Sequence, residues 1–142
     1  VTYLADTSAV WRLLRGQIDA PWPGHVARGL VAICPPVEAE LMPALRADRD
    51  YEPFFTMLGQ TFGWVPALDE PWPKIIAVQR ELVKIGHHRG PSPTDILIAL
   101  TAEHHRLTVL HVDDDFAAIA KVRPGIPMIR LQPRAKDGAP SQ

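Results

Sequence analysis

A chain of 142 residues can bury one real core, and 46% hydrophobic with 22% charged residues is the makeup of an ordinary globular domain. A net charge of −1 excludes a wholly basic nucleic-acid binder, although Arg12, Arg15, Arg46, Arg49, Arg80, Lys84 and Arg89 leave room for a local basic rim. No apolar run approaches the ~18–20 residues of a membrane helix, no basic segment leads into an apolar signal sequence, and the single cysteine, Cys34, cannot form an internal disulfide, so a cytoplasmic protein that avoids membranes is expected.

Residues 1–5 (VTYLA) read as a strand, and Asp6-Thr7-Ser8 as a helix start, because short oxygen-bearing side chains cap helices. The helix that follows carries Val10, Leu13, Leu14 and Gln17 on one face and ends near Gly16. Pro21, Pro23 and Gly24 mark a loop that can open a short helix. Residues 30–34 (LVAIC) form a second strand, with Cys34 as a small buried residue. Pro35-Pro36 then start a helix whose Val37, Leu41, Ala44, Leu45 and Asp48 share a face.

A helix over 51–60 carries Phe54, Phe55 and Leu58, and residues 62–65 form a third strand. A helix over 70–85 stops at Gly86, and HHRGPSP is a loop. TDILIALTAEHH is apolar on nearly every side, so a buried helix is expected there. Residues 107–112 and 127–131 are the fourth and fifth strands, with a helix over 116–122 between them. The domain runs from 1 to 132, and 133–142 is a polar tail.

Strands alternating with helices predict a parallel sheet covered on both faces, and such sheets bind ligands beyond the carboxyl ends of their strands, where the strand order reverses. Asp6 follows the first strand and Asp113 the fourth, so the two meet if those strands are neighbours. Each acid also has a plain explanation. Asp6 caps a helix, Ser92-Pro93-Thr94-Asp95 matches a capping box, and Asp113 or Asp114 caps the last helix. Glu40 sits at one edge of its helix's apolar stripe and Glu38 at the other, and the helical wheel does not choose between them. Together, however, carboxylates at one sheet edge repel, and take up protons unless a cation neutralises them. Mg²⁺ or Mn²⁺ does this with oxygen ligands and retained waters. Of Asp113, Asp114 and Asp115, one is expected to hold metal, one to help or cap, and one to face solvent.

LADTSA, AEL, PSPTDILIALTA and LHVDDDF, in this order and spacing, resemble a PIN domain, and the chain length and the lead into Asp113 resemble the VapC toxins of type II toxin–antitoxin systems. The resemblance runs from Tyr3 to about Leu131 and implies an α/β/α sandwich around a parallel sheet of four or five strands. It implies a Mg²⁺-dependent endoribonuclease, with Mn²⁺ as a possible substitute. By motif, Asp6, Glu40, Asp95 and Asp113 match the family's four acids, with Asp6, Asp95 and Asp113 on the metal. Glu40 would bind metal or orient the attacking water. Asp115 is a helper, and Thr7 or Ser8 hydrogen-bonds a metal water. His111 departs from the Ser or Thr common two places before Asp113. The resemblance also implies a small antitoxin partner, docking along helices around 37–47 and 52–60, and a homodimer. The resemblance implies transfer or ribosomal RNA as substrate classes, and nothing in the sequence selects between them. Trp11, Arg12 and Arg89 are the candidate RNA-path residues, Trp11 because it stands one turn beyond Asp6.

Other chemistries fit less well. His87-His88 and His104-His105 are adjacent pairs without zinc-ligand spacing. A receiver-like signalling domain needs a lone phospho-acceptor aspartate after a middle strand and a lysine after the last, and GWVPALD and IPMIRLQP supply neither. An aspartyl phosphatase places a second aspartate where Ser8 stands. A non-catalytic binding module of the same fold is the remaining alternative, and the presence of all four acids weighs against it.

Overall fold

Every expected strand is present, each shorter than its apolar run. The computed structural model describes residues 1–134. Strands β1 (Tyr3–Ala5), β2 (Val31–Ile33), β3 (Gly63–Trp64), β4 (Thr108–His111) and β5 (Met128–Arg130) form one sheet in the order β3-β2-β1-β4-β5. All four pairings are parallel. Leu4, Val31, Ala32, Val109 and Leu110 are fully buried at its centre, which explains why these strands read as continuous apolar runs rather than alternating ones. The helices α1 (Thr7–Leu14), α2 (Trp22–Ala27), α3 (Pro35–Leu41), α4 (Tyr51–Thr61), α5 (Trp72–Lys84), α6 (Pro93–His105) and α7 (Asp114–Val122) flank the sheet as an α/β/α sandwich.

The chain first builds outward from β1 to β2 and β3, then returns to place β4 on the other side of β1. The strand order therefore reverses between β1 and β4, with Ala5 opposite Leu110 and the Asp6 N–H donating to the Leu110 carbonyl (3.0 Å). Helix α6 earns its apolar composition by lying in the interior, where Ile96, Ile98, Ala99, Leu100, Thr101 and Ala102 are all buried. The buried Thr101 hydroxyl accepts from the Leu68 N–H (3.1 Å) and ties the segment after β3 to the helix.

The helix expected through Asp48 is corrected. It stops at Leu41 and gives way to a 3₁₀ turn over Met42–Ala44, after which Leu45 is extended and Ala44 is exposed. Pro43 is the physical reason: it has no N–H to continue the helical ladder, and its ring collides with the carbonyl four residues back. The stripe of Ala44, Leu45 and Asp48 does not form, and the first of the two expected docking helices is half as long as proposed. The last helix, in contrast, begins earlier than expected, at Asp114 with Asp113 as its cap. Pro133 forms an antiparallel bridge to Ile18, and the Arg134 N–H donates to the Gln17 carbonyl (2.8 Å). The rest of the expected tail lies outside the described residues.

Candidate active site

Three strand-to-helix or loop-to-helix turns deliver acids to the edge of the sheet where its order reverses. Asp6 leaves β1 with extended backbone and caps α1, its Oδ1 accepting from the Ala9 N–H (2.9 Å). The Ser8 hydroxyl lies 2.8 and 3.0 Å from the two Asp6 oxygens and donates its one hydrogen to the pair. Asp6 is only 3% exposed. Burial, opposed by these hydrogen bonds and reinforced by the charges of Asp113 and Asp95, raises its carboxyl from 3.8 to about 7.

Asp95 arrives at the start of α6 through the capping box anticipated from SPTD. The Asp95 N–H donates to Ser92 Oγ (3.0 Å), and the Ser92 N–H donates back to Asp95 Oδ2 (2.9 Å). Burial and the neighbouring Asp113 raise its carboxyl as well. Asp113 caps α7, with Oδ1 accepting from the Asp115 N–H (3.1 Å). Asp6 and Asp95 each feel the charge of Asp113. The N-termini of α1, α6 and α7, with their partial positive charge, thus carry the acids and offset part of the repulsion.

The run of three aspartates separates into three environments. Asp113 caps. Asp114, with 91% of its side chain exposed, pairs with Arg130 (2.5 Å), which lowers its carboxyl. Asp115 turns toward the site, where burial first and then the charges of Asp113 and Asp95 raise its carboxyl. His111, buried at the end of β4, stacks on Phe116 with ring centroids 5.4 Å apart. Its Nδ1 lies 3.0 Å from the Asp113 carbonyl oxygen and donates to it, since a carbonyl only accepts. Histidine here braces the backbone of the cap.

The two acids that the helical wheel leaves equivalent have different partners on α3. Glu38 accepts from Trp64 Nε1–H (2.7 Å) beside β3, whereas Glu40 accepts from the Thr7 hydroxyl (2.5 Å), one residue from Asp6. Glu40 is thereby linked to the start of α1. Thr7 and Ser8, expected on a metal water, each donate to a carboxylate. Of the RNA-path residues, Trp11 stacks on Phe54 (6.0 Å between centroids) with the Arg15 guanidinium 5.3 Å from its ring, so its contacts lie on α4 rather than with the acids. Arg12 donates to Gln17 Oε1 (3.2 Å), and Arg89 is exposed in the loop before α6. Cys34 is fully buried, and burial pushes its thiol up to about 12, out of reach of nucleophilic chemistry.

The donor set suits a hard cation: all oxygen, partly desolvated and mutually repelling. As the side chains stand, no three His, Cys, Asp or Glu among the described residues are gathered around one point. A cation of the Mg²⁺ type does not need three, because it keeps several waters and takes one or two carboxylates.

In a parallel sheet the switch point is where an α/β domain binds its ligands, and comparison with known proteins narrows the class. The PIN domain profile matches residues 3–122. Ribonuclease VapC2 of Mycobacterium tuberculosis is 38% identical over 123 residues, covering 83% of this chain and 84% of the relative. Ribonuclease VapC17 of the same species is 36% identical over 135 residues, covering 92% and 96%. The chain belongs to the PIN-domain family, among the VapC proteins. The solved VapBC-1 from nontypeable Haemophilus influenzae has the same fold, with a TM-score of 0.67 at 13% identity over 92% of this chain and 98% of that one. FitAcB from Neisseria gonorrhoeae gives 0.60 at 22% identity over 91% and 97%.

Proposed function

We propose that this chain is a divalent-metal-dependent endoribonuclease and the toxin of a toxin–antitoxin pair. The observation that carries the reading is the buried Asp6 carboxyl, raised to about 7, with Asp95 and Asp113 beside it at the switch point. Relatives named ribonucleases support RNA as the substrate, and structural neighbours that are toxin–antitoxin complexes support a small antitoxin as partner. A homodimer and a cytoplasmic setting belong to the same reading, and no helix among the described residues is long and apolar enough to cross a membrane.

Asp6, Asp95 and Asp113 would hold Mg²⁺ or Mn²⁺, directly or through water. The bound cation supplies charge neutralisation at the phosphate and a water of lowered pKa. Glu40, anchored by Thr7, orients the attacking water or adds a ligand. Ser8 holds the Asp6 carboxylate in one orientation, and His111 holds the backbone that aims Asp113. Arg89, exposed in the loop that precedes Asp95, would meet a phosphate backbone. Arg12 and Trp11 belong to the wall of that path rather than to the reacting centre.

The test is cleavage of total cellular RNA by purified protein with Mg²⁺, Mn²⁺ or EDTA, beside Asp6→Asn and Asp95→Asn. Discrete cuts that need metal and vanish in both variants support the nuclease. Cutting that persists in the variants, or its absence in the wild-type chain, shifts the reading to a non-catalytic module of the same fold.

A further inference from the structure

We propose that Gly90 is a positioning residue for Asp115: the missing side chain at position 90 lets the Asp115 carboxylate lie inside the acidic cluster, where it adds to cation binding. This rests on the metal-dependent reading above. A Cβ built on Gly90 would stand 2.8 Å from Asp115 Oδ1, closer than real Cβ contacts come. Gly90 is not among the glycines with positive φ, so its backbone does not itself require glycine. What the position requires is space. The adjoining Pro91 is buried and fixes the loop against the domain, so the loop cannot easily retreat.

Asp115 also differs from its neighbours in how its charge is met. Asp6, Glu40, Asp95 and Asp113 each accept a hydrogen bond from a hydroxyl or a backbone N–H. Among the described residues no donor meets the Asp115 carboxylate, although it faces the charges of Asp113 and Asp95. A carboxylate this close to a glycine, beside two like charges and with no donor among the described residues, owes its place to the space that the glycine leaves. A methyl group at 90 would turn it outward, away from its like-charged neighbours, and the repulsion that opposed its position would speed that turn. A cation at the cluster is what would profit from its staying.

Calorimetric titration with Mn²⁺ tests this on four full-length proteins: wild type, Gly90→Ala, Asp115→Ala and the double variant. Melting in EDTA confirms that each is folded. The close contact is with the end of a short side chain, and in the double variant it is gone altogether, so the cycle can be completed whatever strain the single variant carries. Gly90→Ala is expected to weaken Mn²⁺ binding roughly tenfold, the scale seen when a supporting residue of a metal site is lost. In the Asp115→Ala background the same substitution is expected to change nothing. Unchanged affinity in Gly90→Ala, or an equal loss in both backgrounds, overturns the proposal while leaving the metal site intact. A wild-type chain that binds no Mn²⁺ overturns the metal reading and this proposal with it.

Discussion

Two turns of the molecule have the same construction and different consequences. The turn from β1 to α1 and the turn from β4 to α7 leave neighbouring parallel strands at one edge, and each is capped by an aspartate in extended conformation. At the first, Asp6 is 3% exposed and its carboxyl rises to about 7. At the second, the charge is divided among an acid that caps, one that faces solvent and one that faces the site. A helix cap contributes ~1 kcal/mol, and Asn or Ser supplies it without a charge. An ionisable group as deeply buried as Asp6 costs more than that, so capping does not explain why position 6 is an aspartate. Capping explains Asp113 adequately, and only its proximity to Asp6 and Asp95 gives it a second task.

The largest effect that would break or sharpen this contrast is on cleavage. Asp6→Asn keeps the cap and the Ser8 contact but removes the charge, and is expected to lower metal-dependent RNA cleavage at least ~100-fold, as loss of a principal charge-handling group does. The same variant should be more stable than the wild type in EDTA at pH 8. Loss of both activity and stability would instead make Asp6 a structural cap like any other.

The pH dependence follows from the same carboxyl. Between pH ~4 and ~7 folded Asp6 keeps a proton that the unfolded chain has released, so the folded state binds more protons and stability falls as pH rises through that window, then levels off above it. With ~1.4 kcal/mol for each tenfold change in proton affinity, the loss amounts to a few kcal/mol. Asp95 and Asp115 are shifted in the same direction and add to the slope. Denaturant midpoints in EDTA at pH 4.5, 6 and 8 should therefore decline, with a shallower decline in Asp6→Asn, and Mg²⁺ at pH 8 should restore part of the difference. A flat wild-type profile would mean that the Asp6 charge is met by something other than a cation.

Much of this contrast is legible before any coordinates. The five apolar runs announce buried parallel strands, and the step from strand to Asp at positions 6 and 113 announces caps. That β1 and β4 are neighbours is written in neither segment and comes from the sheet order. What is not legible arises from contacts between distant residues. Glu38 and Glu40 are equivalent on the helical wheel; the motif resemblance favours Glu40, and the contacts with Trp64 and Thr7 give the two different partners. Gly90 reads as one more loop glycine until Asp115 is found against it. The premature end of α3 was available in Pro43 and was masked by the apolar spacing on either side of it.

A smaller effect tests whether the β4 side is set by local backbone geometry. Arg106 joins α6 to β4 in the left-handed conformation, with φ +58. A side chain there costs about 1 kcal/mol relative to glycine. Arg106→Gly should raise stability by about that amount, read as a higher denaturant midpoint, with cleavage unchanged. Altered cleavage would show that the α6–β4 connection transmits strain to the turn that carries Asp113.

The smallest effect is expected at Asp114, and it bears most directly on how three consecutive charges are sorted. Its side chain is 91% exposed and its partner Arg130 is 45% exposed, so water and salt screen the pair. Asp114→Asn should leave the denaturant midpoint and the rate of RNA cleavage within measurement error, at low and high salt alike. Asp115→Asn, one residue on, should weaken metal binding without touching the Arg130 pair. The two substitutions remove the same charge from adjacent positions on one helix turn, so net charge and helix-dipole effects are nearly matched, and what differs is the direction each side chain faces. If Asp114→Asn proved the damaging one, the orientation of α7 around its own axis would have to differ from that described, and the division of labour at the second turn would pass from Asp115 to Asp114.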